Sequence, residues 1–343
     1  MNEQPTNIAQ KWLDGATTAP PFGQPADRAE WERRRIDIRA TLWALLGELP
    51  ARPAMPSVVT LSREDRGDYW LERFTFDNGA GSTVPGYLLL PKNGVARHPA
   101  LLYCHWHGGH YHIGKEELFG TNATPVSPGP ALVRAGYAVM AIDACGFGER
   151  NGQGPGGPDE LGGEGEMTAA KFNLWVGRTL WGMIVRDDLM ALDYLCARPE
   201  VDAKRVGVTG ISMGATRTWW ITALDERPKA AVAVACLTRY RDLILAGGLK
   251  CHGIYYFVPN MLRHFDTEAV VALTAPRALL VQNGDVDDGS PVDGIRAIES
   301  AVKPIYSLYG AGSQFVSAIY PGVGHAYTDA MWRRTLDWFG EHL

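Results

Sequence analysis

A chain of 343 residues, 46% hydrophobic and 21% charged, carries enough apolar content for one large α/β domain with insertions or for two smaller domains. The formal charge of -5 is mild, and its one short like-charged run, Arg33 to Arg35, reads as a solvated helix face. Neither nucleic acid nor an anionic membrane surface is therefore an expected partner. The opening MNEQPTNIAQKWLDG lacks the apolar centre of a signal peptide, and no apolar stretch is long enough to span a bilayer. Cys104, Cys145, Cys196, Cys236 and Cys251 are odd in number and scattered. Together these features predict a soluble cytoplasmic protein with reduced thiols.

The pattern from about Ala26 to Glu48 predicts a helix, with Trp31, Ile38, Leu42, Leu45 and Leu46 on one face and Pro50 closing it. It reads as an appendage over residues 1–60, ahead of a main domain over 61–343, and offers a surface for a homo-oligomer. From Trp70 to Leu90 the period falls to two, and LERFTF and VPGYLLL flank the turn-rich DNGAGST, an antiparallel hairpin. The buried strand PALLYC follows, then the helix-like ALVRAG and the strand YAVMAID. After a Gly-rich segment come a helix from about Leu180 to Arg198, the strand RVGVTG, a helix through Trp219 and Trp220, and the strand AAVAVAC. A second irregular segment precedes the strand RALLVQNGD, a helix after Pro291, the strand FVSAIY and a closing helix to Leu343. This alternation implies an α/β fold with a mostly parallel sheet and helices on both faces. In the Leu180 helix, Val185, Leu189, Leu192 and Cys196 form the apolar stripe, with Asp187, Asp188 and Asp193 among its polar neighbours.

Two insertions break the rhythm, near 146–180 and 237–275. The first contains GFGERNGQGPGGPDELGGEGEM, too rich in glycine to bury a core, and reads as a long surface loop or lid. The second carries His252, Tyr255, Tyr256, Phe257 and His264, aromatic enough either to line a substrate pocket or to pack the insertion onto the domain.

The chemistry concentrates in RVGVTGISMGA, where Gly210-Ile211-Ser212-Met213-Gly214 stands between an apolar strand and a helix. A Gly-x-Ser-x-Gly elbow needs that context, because a nucleophile on a tight strand-to-helix turn requires neighbours without side chains. The helix start also aims the Met213 amide at a developing oxyanion. A serine hydroxyl needs a base, and the base needs a carboxylate to orient it. Downstream, GDVDDGSP offers Asp285, Asp287 and Asp288. Hydrolases of this kind often carry the acid three residues after a loop glycine, with a proline four residues beyond; Gly284, Asp287 and Pro291 fit, with Asp285 and Asp288 in reserve. After the last strand, IYPGVGHAYTD supplies His325 as the base.

Residues 104 to 112, CHWHGGHYH, hold four of the nine histidines. One reading makes His107-Gly108-Gly109 an oxyanion loop, with the Gly109 amide or, less favoured, that of Gly108 as second donor. The rival makes His105, His107 and His110 the His-x-His-x-x-His ligands of a metal-dependent hydrolase. That pattern normally has aspartate where Gly109 stands, and it leaves Ser212, Asp287 and His325 without a role.

On PALLYCHWHGG, AIDACGFGER, RDDLMALDYLCARPEVDAKRVGVTGISMGA, DERPKAAVAVACLT, LLVQNGDVDDGSP and PGVGHAY, the chain from roughly Trp70 onward resembles the α/β-hydrolase superfamily. The resemblance is to its dienelactone-hydrolase-like and acetyl xylan esterase-like branch. Dienelactone hydrolases use cysteine at the elbow, so Ser212 favours an ordinary acyl esterase. The resemblance implies a Ser212, His325 and Asp287 triad, an oxyanion hole at Met213 and Gly109, and no metal, nucleotide or organic cofactor. It implies a small-molecule ester substrate, an acetylated carbohydrate, another short-chain ester or an aryl ester; Trp106, His107, Tyr255 and Tyr256 are the candidate contacts, since the aromatic insertion and Trp106 suit a sugar or aryl ring but equally a packed lid. It also reads the charges from Asp143 to Arg150 as structural. Two other readings share the fold: a prolyl-oligopeptidase-like peptidase, for which the chain lacks the length of the accessory domain, and a non-catalytic binding protein.

Overall fold

The computed structural model describes residues 8–343. Helices α1 (Ile8–Asp14) and α2 (Arg28–Leu46) precede strands β1 (Val58–Asp65), β2 (Tyr69–Asp77), β3 (Thr83–Pro91) and β4 (His98–Cys104). Then follow α3 (Pro128–Arg134), β5 (Ala138–Ile142), α4 (Gly162–Trp175), α5 (Leu180–Ala197), β6 (Val201–Ile211), α6 (Met213–Leu224) and β7 (Ala230–Val234). The chain closes with α7 (Tyr240–Leu245), α8 (Met261–His264), α9 (Thr267–Ala272), β8 (Ala278–Gly284), α10 (Val292–Ser307), β9 (Phe315–Tyr320) and α11 (Asp329–His342). The strands form one sheet in the order β1-β2-β3-β5-β4-β6-β7-β8-β9. Pairings from β1 to β5 are antiparallel, and all those from β5 to β9 are parallel.

Both faces of the parallel part are buried, which is why its strands are almost continuously apolar. On β8, Leu279 and Val281 enter one layer, where α2, α5, α6, α9 and α10 pack; Ala278 and Leu280 enter the other, with α3 and α11. Each buried Leu or Val contributes about 1.5–3 kcal/mol. Helix α2 starts where Asp27 accepts the Glu30 N–H and the Glu30 carboxylate accepts the Ala26 N–H, both at 2.8 Å. Its Trp31, Leu42 and Leu46 are fully buried in the layer shared with α5 and α6, so α2 is rooted in the main core. The expected boundary at residue 60 falls inside β1, and the start of the expected appendage, residues 1–7, lies outside the described residues. No helix among the described residues is long and apolar enough to cross a membrane.

Helices α1, α7, α8 and α9 stand where no helix is predicted, and three further elements depart from the sequence reading for plain physical reasons. Strand β1 was not expected: it is an edge strand whose VVTLSRED is mostly exposed and gives no buried alternation. The stretch expected to be a glycine-rich loop turns helical at Gly162, because beyond the glycines Glu166, Ala169, Ala170 and Asn173 recur at helical spacing and are buried together. Helix α5 is buried almost all round, and its expected polar flank turns inward. Asp187 meets Arg150 at 2.9 Å, and Asp188 meets Arg217 in a fully buried pair. Removing one partner of such a pair costs about 3–5 kcal/mol.

Candidate active site

Strand β6 delivers Ser212 to the head of α6 with φ 59 and ψ -119, a conformation that costs a non-glycine residue on the order of 1–3 kcal/mol. Close approach explains the flanking glycines: a Cβ on either Gly210 or Gly214 would collide with the Cys104 carbonyl at the end of β4. The Ser212 amide donates to the Val234 carbonyl at 2.9 Å, tying the turn to β7. The Met213 amide opens α6 and lies outside its hydrogen-bond ladder.

The loop after β8 and the loop after β9 meet beside this turn. His325 Nδ1 lies 2.8 Å from Asp287 Oδ2, and Asp287 Oδ1 accepts the Gly289 N–H at 2.9 Å. Burial acts against ionised Asp287, but the bonds from His325 and Gly289 outweigh it and hold the carboxyl below its ordinary range. Burial also disfavours the imidazolium, yet the hydrogen bond and charge of Asp287 raise His325 above its ordinary 6.5. Of the other two aspartates, Asp285 accepts the Gly322 N–H at 2.7 Å and braces the turn, and Asp288 is exposed at the pocket rim. Ser212, His325 and Asp287 all line one pocket of about 600 Å³.

The four clustered histidines turn to separate partners. His105, fully buried, points Nδ1 at the Trp106 carbonyl (2.7 Å) and accepts the Ala144 N–H on Nε2 (3.0 Å). Burial keeps it neutral by pushing its pKa well down. His107 Nε2 lies 2.9 Å from Glu166 Oε2 of α4, and its Nδ1 accepts the Gly109 N–H at 3.0 Å. His110 stacks on Trp106 with centroids 5.2 Å apart, and His112 meets His110 edge-on. Among the described residues no group of three His, Cys, Asp or Glu side chains is arranged to hold a metal.

Residues 6–304 match the Abhydrolase family. This chain is an α/β-hydrolase of that family. It is 37% identical over 280 residues to the protein YtaP of Bacillus subtilis (strain 168), covering 81% of this chain and 89% of that one. The fold is similar to a glucuronoyl esterase from Solibacter usitatus, with TM-score 0.69, 20% identity and 95% and 96% of the two chains covered. It is also similar to acetyl xylan esterase 1 from Thermoanaerobacterium sp. JW/SL YS485, with TM-score 0.57, 19% identity and 99% of each chain covered.

Around Ser212, Asp287 and His325, the hydrolase distributes the remaining expected residues unevenly. Gly108, Gly109, His107 and Tyr255 line the same pocket as Ser212. The Gly109 amide, expected as oxyanion donor, is taken by His107 Nδ1, whereas the Gly108 amide has no partner among the described residues. Trp106 lies outside the pocket lining; its ring packs under Gly108, where a Cβ would strike it, and its amide donates to Glu117 Oε2 at 2.6 Å. Burial pushes the Glu117 carboxyl up to about 7. Tyr256 is likewise outside the lining and sits behind the wall, stacked on His252 with centroids 4.1 Å apart.

Sequence reasoning missed Glu166, Cys236 and Lys250 as neighbours of the site, whereas His252, noted in the second insertion, lines the pocket. Ala235 and Cys236 directly follow β7 at positive φ, 57 and 67, and Cys236 lines the pocket beside Ser212. Burial raises its thiol to about 11, which keeps it protonated near neutrality. No local pattern marks these three, because Cys236 and Lys250 reach the pocket from an irregular strand end and an insertion, and Glu166 stands behind His107 from another.

Proposed function

We propose that this hydrolase is a serine-dependent carboxylic ester hydrolase with Ser212 as nucleophile, His325 as general base and Asp287 as its orienting acid. The observation that carries the reading is the convergence of the elbow serine and the His325–Asp287 pair, joined at 2.8 Å, on one pocket. In this mechanism the neutral His325 Nε2 takes the hydroxyl proton as Ser212 Oγ attacks the ester carbonyl. Asp287 then stabilises the imidazolium, which returns the proton to the leaving alcohol. The Met213 amide and the Gly108 amide hold the tetrahedral oxyanion, a role first expected of Gly109. Water enters by the same route and releases the acyl group.

The substrate class is short-chain acyl esters, acetylated carbohydrates or aryl esters. A pocket of about 600 Å³ suits a small acyl group with one sugar or aryl ring, and the fold is shared with proteins named as acetyl xylan and glucuronoyl esterases. His107 and Tyr255, which line the pocket, are the proposed contacts. The free cysteines suit a cytoplasmic setting. Hydrolysis of p-nitrophenyl acetate, with purified wild type set against Ser212→Ala, tests the reading. Turnover that vanishes in the variant supports it, and equal turnover in both overturns it.

A further inference from the structure

From the contacts of α4 we infer that Glu166 is a positioning residue for the oxyanion loop, acting through His107; the inference rests on the esterase reading above. Glu166 is 5% exposed, and its Oε2 receives His107 Nε2 at 2.9 Å and the Tyr111 hydroxyl at 3.2 Å. A carboxylate only accepts, so this contact places the His107 proton on Nε2 and leaves Nδ1 as the acceptor that holds the Gly109 N–H at 3.0 Å. One proton position on one ring therefore sets the Gly108–Gly109 turn, in which both glycines have positive φ, 51 and 75.

The ring itself has little freedom. It stacks on Tyr255 with centroids 5.0 Å apart and meets Tyr111 and Phe147 edge-on. Glu166 also abuts the second insertion, since a Cβ on Gly253 would strike its Oε1. Helix α4 thus acts at the reacting centre without lining the pocket: the carboxylate fixes the tautomer, the tautomer fixes the Gly109 amide, and that bond leaves the neighbouring Gly108 amide for the oxyanion. Removing the carboxylate allows the other tautomer, in which Nδ1 carries the proton and repels the Gly109 N–H.

The experiment compares Glu166→Ala and Glu166→Gln with wild type in steady-state hydrolysis of p-nitrophenyl acetate, alongside inhibition by phenylboronic acid. Its tetrahedral boronate adduct occupies the oxyanion site. Glu166→Ala is expected to lose about ten- to hundredfold in kcat, the effect of deleting a charged hydrogen-bond partner, with KM within about threefold because the ground-state carbonyl is bound weakly there. Affinity for the boronate falls in the same proportion. Glu166→Gln keeps a carbonyl acceptor for the Nε2–H and recovers most of the kcat. Should Glu166→Ala fail to fold, a Glu166→Gln variant with wild-type kcat and boronate affinity still supports the assignment, and one that loses as much as a misplaced loop would cost overturns it. The assignment also falls if kcat drops while boronate affinity holds, or if folded Glu166→Ala matches wild type. Either outcome leaves the esterase reading standing as long as Ser212→Ala is inactive.

Discussion

The floor and the roof of the pocket are built in opposite ways. The floor comes from the ends of β6, β8 and β9, and its residues are held by their own backbone: Ser212 by a turn that Gly210 and Gly214 permit, Asp287 by the Gly289 amide two residues on. The roof comes from the second insertion and the loop after β4, with the first insertion packed behind them, and its residues are held by one another. His107 takes its orientation from Glu166, 59 residues further along the chain, and from Tyr255. Local constraint makes the floor tolerant of changes elsewhere, whereas mutual constraint makes the roof a network in which single changes propagate.

The sharpest test of this contrast lies in the floor. Ser212→Ala is expected to lower kcat for p-nitrophenyl acetate by about 10⁶, the order seen when a triad nucleophile is removed, with thermal unfolding little changed. Asp287→Asn should lower kcat by about 10⁴, because an amide leaves the imidazole in the wrong tautomer. A pH series gives the next effect. Since Asp287 raises His325 above 6.5, kcat/KM should fall about tenfold per pH unit below the His325 pKa, where the base is protonated, and level off above it. In Asp287→Asn that midpoint should move to lower pH, and an unmoved midpoint would remove His325 from the role. The smallest effects belong to Asp288→Asn and Asp285→Asn, expected within about twofold and fivefold of wild-type kcat, since Asp288 sits at the rim and Asp285 only braces the turn to Gly322. If either outranked Asp287→Asn, the floor would have a different acid.

How far the sequence reading reached follows the same division. Alternating apolar strands and helices are readable because each strand must bury two faces, so the parallel strands came through in chain order with approximate limits. Strand β1 did not, since an exposed edge carries no burial pattern. In CHWHGGHYH the spacing left a metal nest and an oxyanion loop both open; the structure separates the rings, giving His105 to the backbone and His107 to Glu166. Trp106 and Tyr256, expected as substrate contacts, lie outside the lining of the Ser212 pocket, and Tyr256 lines a different cavity, because an aromatic side chain looks the same in sequence whichever surface it meets.

What the sequence determined by itself was the set of backbone-dictated features: the Gly-x-Ser-x-Gly turn between strand and helix, the carboxylate loop, the final histidine loop, and the apolar periods that order them. Their signals are short-range, carried by residues within a few positions of the group they serve. Only the tertiary structure decided which aspartate meets His325, which glycine amide is spent on His107, and that a glutamate on an inserted helix reaches His107. Those choices depend on proton position and on packing between segments far apart in the chain, and neither leaves a periodic mark in the order of the residues.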